Sequence, residues 1–129
     1  MEVLSSRVML APTDFQRSVA FYRDTLGLRI YREFGADGHQ TGVVFFLGGG
    51  YLELSASGST SATGSVALWL QVPDLAAEHQ RLAAAGVTIT EAPNRKPWGL
   101  DEMWALDPDG HRLCLVEVPP DHPIRRRLI

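Results

Sequence analysis

The sequence has little cysteine and no long apolar run. Among its 129 residues Cys114 is the single cysteine, so no internal disulfide can form, which agrees with a reducing compartment. No apolar stretch approaches the roughly 18 residues that a membrane-spanning helix needs, and the N-terminal residues lack the basic and apolar regions of a signal peptide. We therefore expect a cytoplasmic protein with no membrane partner.

The chain also lacks a strong excess of charge of either sign. Its formal net charge is −3, with 21% charged and 45% hydrophobic residues, a composition typical of a soluble globular protein. Binding to phosphate backbones needs a basic surface, and the only concentrated basic run, residues 125–127, is interpreted as a solvated tail. Length and composition predict one domain, residues 1–129, with no nucleic-acid partner.

The most informative feature that is present is an internal repeat. Residues 8–15 and residues 68–75 share a strand-like pattern that runs into a helix start, at a constant offset of 60 positions. Asp14 and Asp74 stand where a side-chain oxygen can cap the first helical turn. After each aspartate an apolar helical stripe follows and ends at a glycine, so the two halves match.

Strand-like segments follow each predicted helix. They lie at residues 28–34, 42–47 and 51–55 in the first half and at 87–91, 103–106 and 112–118 in the second. The chain is therefore predicted to be an α+β protein made of two βαβββ modules. The modules are expected at about residues 5–56 and 65–118, with a flexible linker at 57–64 and a C-terminal tail at 119–129.

Alternation along the strands separates two faces of each predicted sheet. One face is aliphatic and is expected to seat the helices: Val8, Leu10, Leu52, Leu54, Val66, Leu68, Leu70, Leu113 and Leu115. The other face mixes aromatic, polar and charged residues: Arg7, Met9, Tyr51, Glu53, Ser55, Ala67, Trp69, Gln71, Arg112, Cys114 and Val116. Large aromatics on the second face favour a cleft lining over a solvated sheet.

Two segments carry a family resemblance. Residues 14–28, DFQRSVAFYRDTLGL, resemble the first-helix signature of the vicinal oxygen chelate superfamily, and residues 107–113, DPDGHRL, resemble its final hairpin. This superfamily includes glyoxalase I, the extradiol dioxygenases and the bleomycin-resistance proteins. The resemblance implies curved mixed sheets that form a cup, with the helices on the outer face. Because such a fold hosts both enzymes and non-catalytic drug binders, activity has to be argued from the site.

The resemblance also implies four positions where metal-dependent relatives hold their ligands. Here those positions are Arg7, Glu53, Ala67 and Cys114. Arginine stays protonated and alanine has no donor atom, which leaves fewer ligands than a catalytic zinc-type site has. No histidine falls on a cup-facing strand position: His39 is expected in a loop, and the others are His79, His111 and His122. We therefore predict no metal and no cofactor.

Two pairs of side chains at or beside these positions each have two interpretations. Arg7 and Glu53 are predicted neighbours that form an ion pair, either presenting a fixed dipole to a polar ligand or only closing the cup floor. Cys114 beside Arg112 could be a nucleophile of lowered pKa. Because no histidine base is placed beside this thiol, we favour a small apolar filler.

Aromatic residues are the strongest indication of a ligand. Trp69 is expected to point into the cup, with Trp98, Met103 and Trp104 at its border and residues 92–99 as a recognition loop. No catalytic residue is assigned. The predicted ligand-binding set is Arg7, Met9, Tyr51, Glu53, Trp69, Trp98, Met103, Trp104, Arg112 and Cys114.

Three functions fit these features. The favoured one is a metal-free homodimer of the glyoxalase/bleomycin resistance type that sequesters an aromatic or antibiotic-like small molecule and has a role in antibiotic resistance. The alternative is a divergent metal-dependent enzyme, a glyoxalase-like lyase or a dioxygenase, with Glu53 as base. In the third, the domain is an interaction module whose cup is filled by its own side chains.

Overall fold

The computed structural model describes residues 1–56 and 65–126. The chain forms two compact units, Met1–Ala62 and Thr63–Ile129. Each unit contains a strand, a helix and three further strands in that order, which confirms the predicted βαβββ repeat. The predicted linker, residues 57–64, and the end of the tail, residues 127–129, lie outside the described residues.

The first unit is a mixed four-stranded sheet with one helix. Its sheet order is β1-β4-β3-β2, with β1 parallel to β4 and the other pairs antiparallel. The elements are β1 Arg7–Leu10, α1 Phe15–Ala20, a π-helical turn Phe21–Thr25, β2 Ile30–Ala36, β3 His39–Leu47 and β4 Gly50–Ser55.

The second unit repeats this plan. Its sheet order is β5-β8-β7-β6, again with only the first pair parallel. The elements are β5 Ala67–Gln71, α2 Leu75–Ala84, β6 Ile89–Arg95, β7 Asp101–Leu106, β8 Arg112–Glu117 and a short α3 Pro123–Arg126. Among the described residues, no helix is long and apolar enough to cross a membrane.

Both predicted helix starts are confirmed. The Asp14 carboxylate accepts from the Arg17 backbone N–H at 3.1 Å, and the Asp74 carboxylate accepts from that of Ala77 at 3.0 Å. Each bond satisfies one N–H that the first helical turn leaves without a backbone acceptor. The first helix differs from the prediction in one respect, since it continues beyond α1 as a π-helical turn before Gly27, whose φ of +78° ends it.

A second carboxylate caps α2 from outside the helix. Glu117 in β8 accepts from the backbone N–H of Leu75 at 2.8 Å, so the N-terminus of α2 has two anionic acceptors. We expect Glu117→Ala to lower the free energy of unfolding by about 1 kcal/mol, because the Leu75 N–H loses its acceptor and the helix dipole loses a favourable contact with a negative charge. Urea titration of the folded protein measures this value.

The matched control for this prediction is Glu78→Ala on the same helix. Glu78 forms a partly exposed ion pair with Arg81, and such pairs contribute only about 0.5 kcal/mol. Equal losses for the two variants would show that Glu117 acts merely as a surface charge and not as a cap.

The prediction of a loop at residues 92–99 is wrong in part. Residues 92–95 continue β6 instead of forming a loop, and His39, also expected in a loop, begins β3. Pro93 is tolerated because β6 is the edge strand and its pairing with β7 is irregular between Glu91 and Asn94. The loop between β6 and β7 is therefore shorter than predicted and consists of residues 96–100.

The aliphatic face of the first sheet is the core of its unit, as predicted. Val8 pairs with Leu52, so both side chains lie on one face. Tyr22 from the π-helical turn is buried and its ring lies 6.2 Å from that of Phe45, which is opposite Leu52 in β3. The face of the first sheet opposite this core is called the first open face below.

The second sheet has the same arrangement. Leu68 pairs with Leu113 and Leu70 with Leu115, as the alternation predicts. The helix α2 contacts β6, β7 and β8. Val66 is the exception to the prediction, because it precedes β5 and is exposed. The face opposite the paired leucines is called the second open face.

Candidate functional site

The first open face carries an ion pair between β1 and β4. The Arg7 guanidinium Nη1 lies 2.6 Å from Oε1 of Glu53, and the two side chains are 34% and 17% exposed. The neighbourhood follows from the parallel pairing of these strands, in which Arg7 is opposite Tyr51 and Met9 is opposite Glu53. The predicted ion pair is therefore confirmed, and it is partly exposed to solvent.

Three aromatic rings form a cluster beside this ion pair. The ring centroids of Tyr31 and Tyr51 are 4.9 Å apart and stacked, and Phe46 lies 5.1 Å from Tyr31 and 5.9 Å from Tyr51. The Arg7 guanidinium carbon is 5.8 Å from the Tyr51 centroid, within cation–π range. Tyr31 and Phe46 are exposed. We call these three rings the aromatic cluster.

Sequence reasoning identified only Tyr51 of this cluster. Phe46 could have been found, because it is opposite Tyr51 in the β3–β4 pair and the alternation of β3 carries the same information as that of β4. Tyr31 could not, because it lies at an irregularity between Ile30 and Arg32 in the β2–β3 pairing. An irregular position breaks the period of two on which face assignments depend.

The second open face brings together several predicted site residues. Trp69, Cys114 and Trp104 lie opposite one another on β5, β8 and β7. The Arg112 guanidinium carbon lies 5.4 Å from the Trp104 ring centroid. The Trp69 side chain is half-exposed, so an apolar ring surface is available at this face.

Glu102 is the residue of the second open face that sequence reasoning missed. Its carboxylate is buried, accepts from the Trp98 indole N–H at 2.6 Å and lies 3.7 Å from Sγ of Cys114. Trp98 itself is exposed, but His122 Nε2 also donates to its backbone carbonyl at 3.0 Å. An exposed indole is thus held in one position. Extending the predicted strand 103–106 by two residues would have placed Glu102 on the face of Trp104.

Part of the second open face is filled by the unit's own side chains. Leu100, Cys114, Val116 and Val118 form a buried cluster, and Trp104 packs against it. This is the arrangement that the interaction-module hypothesis predicts for part of the face. Trp69 lies outside this cluster and keeps its exposed ring.

Met103 does not belong to either open face, and its prediction as a ligand-binding residue is wrong. It is opposite Leu115 in the β7–β8 pair and is therefore on the aliphatic face. Its side chain is fully buried. Distance along the sequence groups Met103 with Trp104, whereas consecutive strand residues point to opposite faces.

Cys114 is a buried thiol. Burial raises its pKa to about 12, and the nearby Glu102 carboxylate adds to the shift. A nucleophilic cysteine needs a lowered pKa. The geometry therefore favours the small apolar filler over the nucleophile.

The four positions implied by the metal-dependent relatives do not fit a metal ion. Glu53 forms an ion pair with the Arg7 guanidinium, and Ala67 has no donor atom. Cys114 is a protonated thiol that donates a hydrogen bond to Glu102. Across residues 1–56 and 65–126, no group of three or more His, Cys, Asp or Glu side chains could hold a metal ion.

Two of the histidines, His111 and His122, have hydrogen-bond partners away from the four implied positions. His111 Nδ1 lies 2.9 Å from the buried Asp107 carboxylate in the last turn. His122 accepts the Ile124 N–H at Nδ1, in addition to its bond to Trp98. His79 is half-buried on α2.

Comparison with known proteins identifies the family. Residues 5–115 match the model of the Glyoxalase/Bleomycin resistance protein/Dioxygenase superfamily. The chain therefore belongs to this superfamily, which confirms the resemblance of the helix and hairpin motifs. No curated protein sequence matches the chain.

Solved structures agree with this assignment. TioX from Micromonospora sp. ML1 is 26% identical, with a TM-score of 0.73 over 89% of this chain and 98% of that chain. A protein of unknown function from Agrobacterium tumefaciens C58 is 28% identical, with a TM-score of 0.70 over 92% and 95%. Lactoylglutathione lyase from A. tumefaciens is 20% identical, with a TM-score of 0.68 over 91% and 94%, and shows the fold alone.

Proposed function

We propose that this protein binds a planar aromatic small molecule and does not convert it. The observation that carries the proposal is the exposed aromatic cluster beside the Arg7–Glu53 ion pair on the first open face. Exposed large rings grouped on one face are typical of binding surfaces. Offset stacking of a flat ligand on such rings adds to the gain from area burial.

The second unit supports the same function. Trp69 and Trp98 are exposed, and Trp98 is held by Glu102 and His122. A fixed ring binds with less loss of conformational entropy than a mobile one. Arg112 and Cys114, which we also proposed as ligand-binding residues, act here through the packing of Trp104.

The divergent metal-dependent enzyme remains the second candidate, since the superfamily includes lyases and dioxygenases. Glu53 is the one carboxylate at an implied ligand position, but its partner Arg7 competes with any cation for it. The donor set therefore argues against this candidate. Elemental analysis of protein purified without chelators decides between the two, because stoichiometric zinc, nickel, manganese or iron would overturn the proposal of a pure binder.

The proposal also includes one domain over residues 1–129, a cytoplasmic location, a homodimeric state and a role in antibiotic resistance. The dimer is supported by the outer strands of each sheet, β1 and β2 in the first and β5 and β6 in the second. Such strands offer backbone hydrogen-bonding groups at their outer edges, which proteins commonly cover. Light scattering of the purified chain tests the dimer.

A thermal-shift experiment tests the binding function. Unsubstituted acridine, unsubstituted quinoline and 2-naphthamide are each added to the folded protein, and at least one is expected to raise the unfolding midpoint by roughly 10 °C at about a hundred times its Kd. The rise should saturate at a fixed stoichiometry, and mass spectrometry should recover the compound unchanged.

The matched control for this experiment is decahydro-2-naphthamide, which has the polar group of 2-naphthamide but no flat ring. It should give a much smaller shift because it cannot stack on the aromatic cluster. If no planar compound stabilises the protein, or if a bound compound is chemically converted, the proposed function is wrong.

A further inference from the structure

The Arg7–Glu53 pair has unused hydrogen-bonding capacity. A guanidinium has five N–H donors and a carboxylate has about four acceptor sites, whereas one Nη1–Oε1 contact joins these two groups. Within residues 1–56 and 65–126, neither charged group makes another hydrogen bond. The remaining N–H groups of Arg7 and Oε2 of Glu53 are thus donors and an acceptor placed side by side.

The charges of this pair select against charged ligands. A guanidinium and a carboxylate at 2.6 Å cancel to a net charge of zero. A carboxylate that approaches Arg7 also approaches the anionic Glu53, and a cation that approaches Glu53 also approaches Arg7. In both cases the like-charge contact opposes binding.

Arg32 adds a positive charge to the same face. Arg32 is opposite Val44 in β3, which in turn is opposite Glu53. Two strand spacings, about 10 Å, therefore separate Arg32 from Glu53 along the sheet, and the Arg32 guanidinium carbon lies 4.9 Å from the Phe34 ring centroid. At such a distance its effect on an exposed pair is largely screened by salt.

The aromatic cluster fixes where a ligand's ring would lie. The Arg7 guanidinium is next to the Tyr51 ring, and Tyr51 is stacked on Tyr31. A flat ligand stacked on this cluster would bring a ring substituent to the ion pair. The substituent that complements the pair has a carbonyl oxygen to accept from Arg7 and an adjacent N–H to donate to Glu53.

We infer that the first open face recognises a neutral aromatic carboxamide or lactam, through a C=O···Arg7 and an N–H···Glu53 hydrogen bond. This inference rests on the proposed binding function and adds the chemical class of the ligand. Both bonds are charge-assisted, so they are stronger than bonds between neutral groups. A site built to satisfy both groups discriminates strongly against a ligand that leaves one of them unpaired.

Three naphthalenes of the same shape test the inference: 2-naphthamide, 2-naphthoate and 2-naphthamidinium. Titration calorimetry at pH 7 should give the amide at least about tenfold tighter binding than either charged compound, because each charged compound meets one like charge and leaves one partner unsatisfied. Arg7→Met should reverse the preference towards the amidinium. Glu53→Gln should reverse it towards the naphthoate.

The control variant is Arg32→Met, which removes a positive charge from the same face but not from the pair. It should leave the order of the three compounds unchanged. The order measured on the unsubstituted protein tests the inference even where a variant fails to fold. Equal binding of the three compounds, or tightest binding of a charged one, overturns the inference and leaves the binding function standing.

Failure of the binding function has a different signature. If acridines and quinolines stabilise the protein but no naphthalene binds, the inference alone is wrong. If no planar compound of any class stabilises the protein, the proposed function fails as well.

Discussion

The Cys114 thiol should react with Ellman's reagent at pH 8 about a thousandfold more slowly in the folded protein than in the unfolded chain. The thiolate is the reactive form, and the pKa of Cys114 is raised from 9.0 to about 12 by burial and by Glu102. At pH 8 roughly one thiol in ten is ionised at the lower pKa and about one in ten thousand at the higher one. Stopped-flow absorbance with and without urea measures both rates.

The same shift predicts how stability depends on pH. The folded pKa of Cys114 lies above the unfolded value, so the unfolded chain loses its proton first as the pH rises. Stability is therefore fully present below about pH 9 and is lost progressively between about pH 9 and pH 12. Urea titrations across this range should show a steeper loss for the natural protein than for Cys114→Ser, whose hydroxyl does not ionise there.

An opposite result would change the functional interpretation. Fast reaction of folded Cys114 with Ellman's reagent near neutral pH would show an activated thiol, and the enzymatic alternative would then have a nucleophile. A slow reaction excludes Cys114 as this nucleophile, which leaves the aromatic residues and the Arg7–Glu53 pair as the chemically distinctive groups of the open faces.

The sequence predicted the faces of the outer strand pairs well. In each unit the first and last strands pair in a regular parallel register, so Arg7 shares a face with Tyr51 and Trp69 shares a face with Cys114. The aliphatic residues that alternate with them mark the other face. The Arg7–Glu53 contact could be predicted for the same reason. These are properties of regular pairing, which a period of two describes completely.

Other parts of the site depend on irregular or long-range features. Tyr31 lies at an irregularity in pairing, and Pro93 continues an edge strand that local sequence marks as a loop. Glu117 caps α2 from 42 residues away in sequence. None of these follows from local alternation, because each depends on which elements become neighbours after folding.

Two methionines that we predicted as ligand-binding residues provide the largest expected difference in stability. Met103→Ala should lower the free energy of unfolding by about 2–5 kcal/mol, because a fully buried side chain is replaced by a cavity. Met9→Ala should change it by no more than about 0.5 kcal/mol, because Met9 is 68% exposed and Met103 is 0% exposed. Urea unfolding of both variants measures the two values.

For binding of a planar compound, Met9→Ala should have the larger effect and Met103→Ala the smaller one. Met9 is opposite Glu53 on the first open face, so Met9→Ala should weaken 2-naphthamide binding, whereas folded Met103→Ala should bind it as the natural protein does. A one-residue slip in the register of β7 would move Met103 to the second open face. Met103→Ala would then cost little stability. The two methionine-to-alanine variants therefore test the assignment of the faces. A small loss of unfolding free energy for Met103→Ala would mean that the aliphatic face of the second sheet has been identified incorrectly.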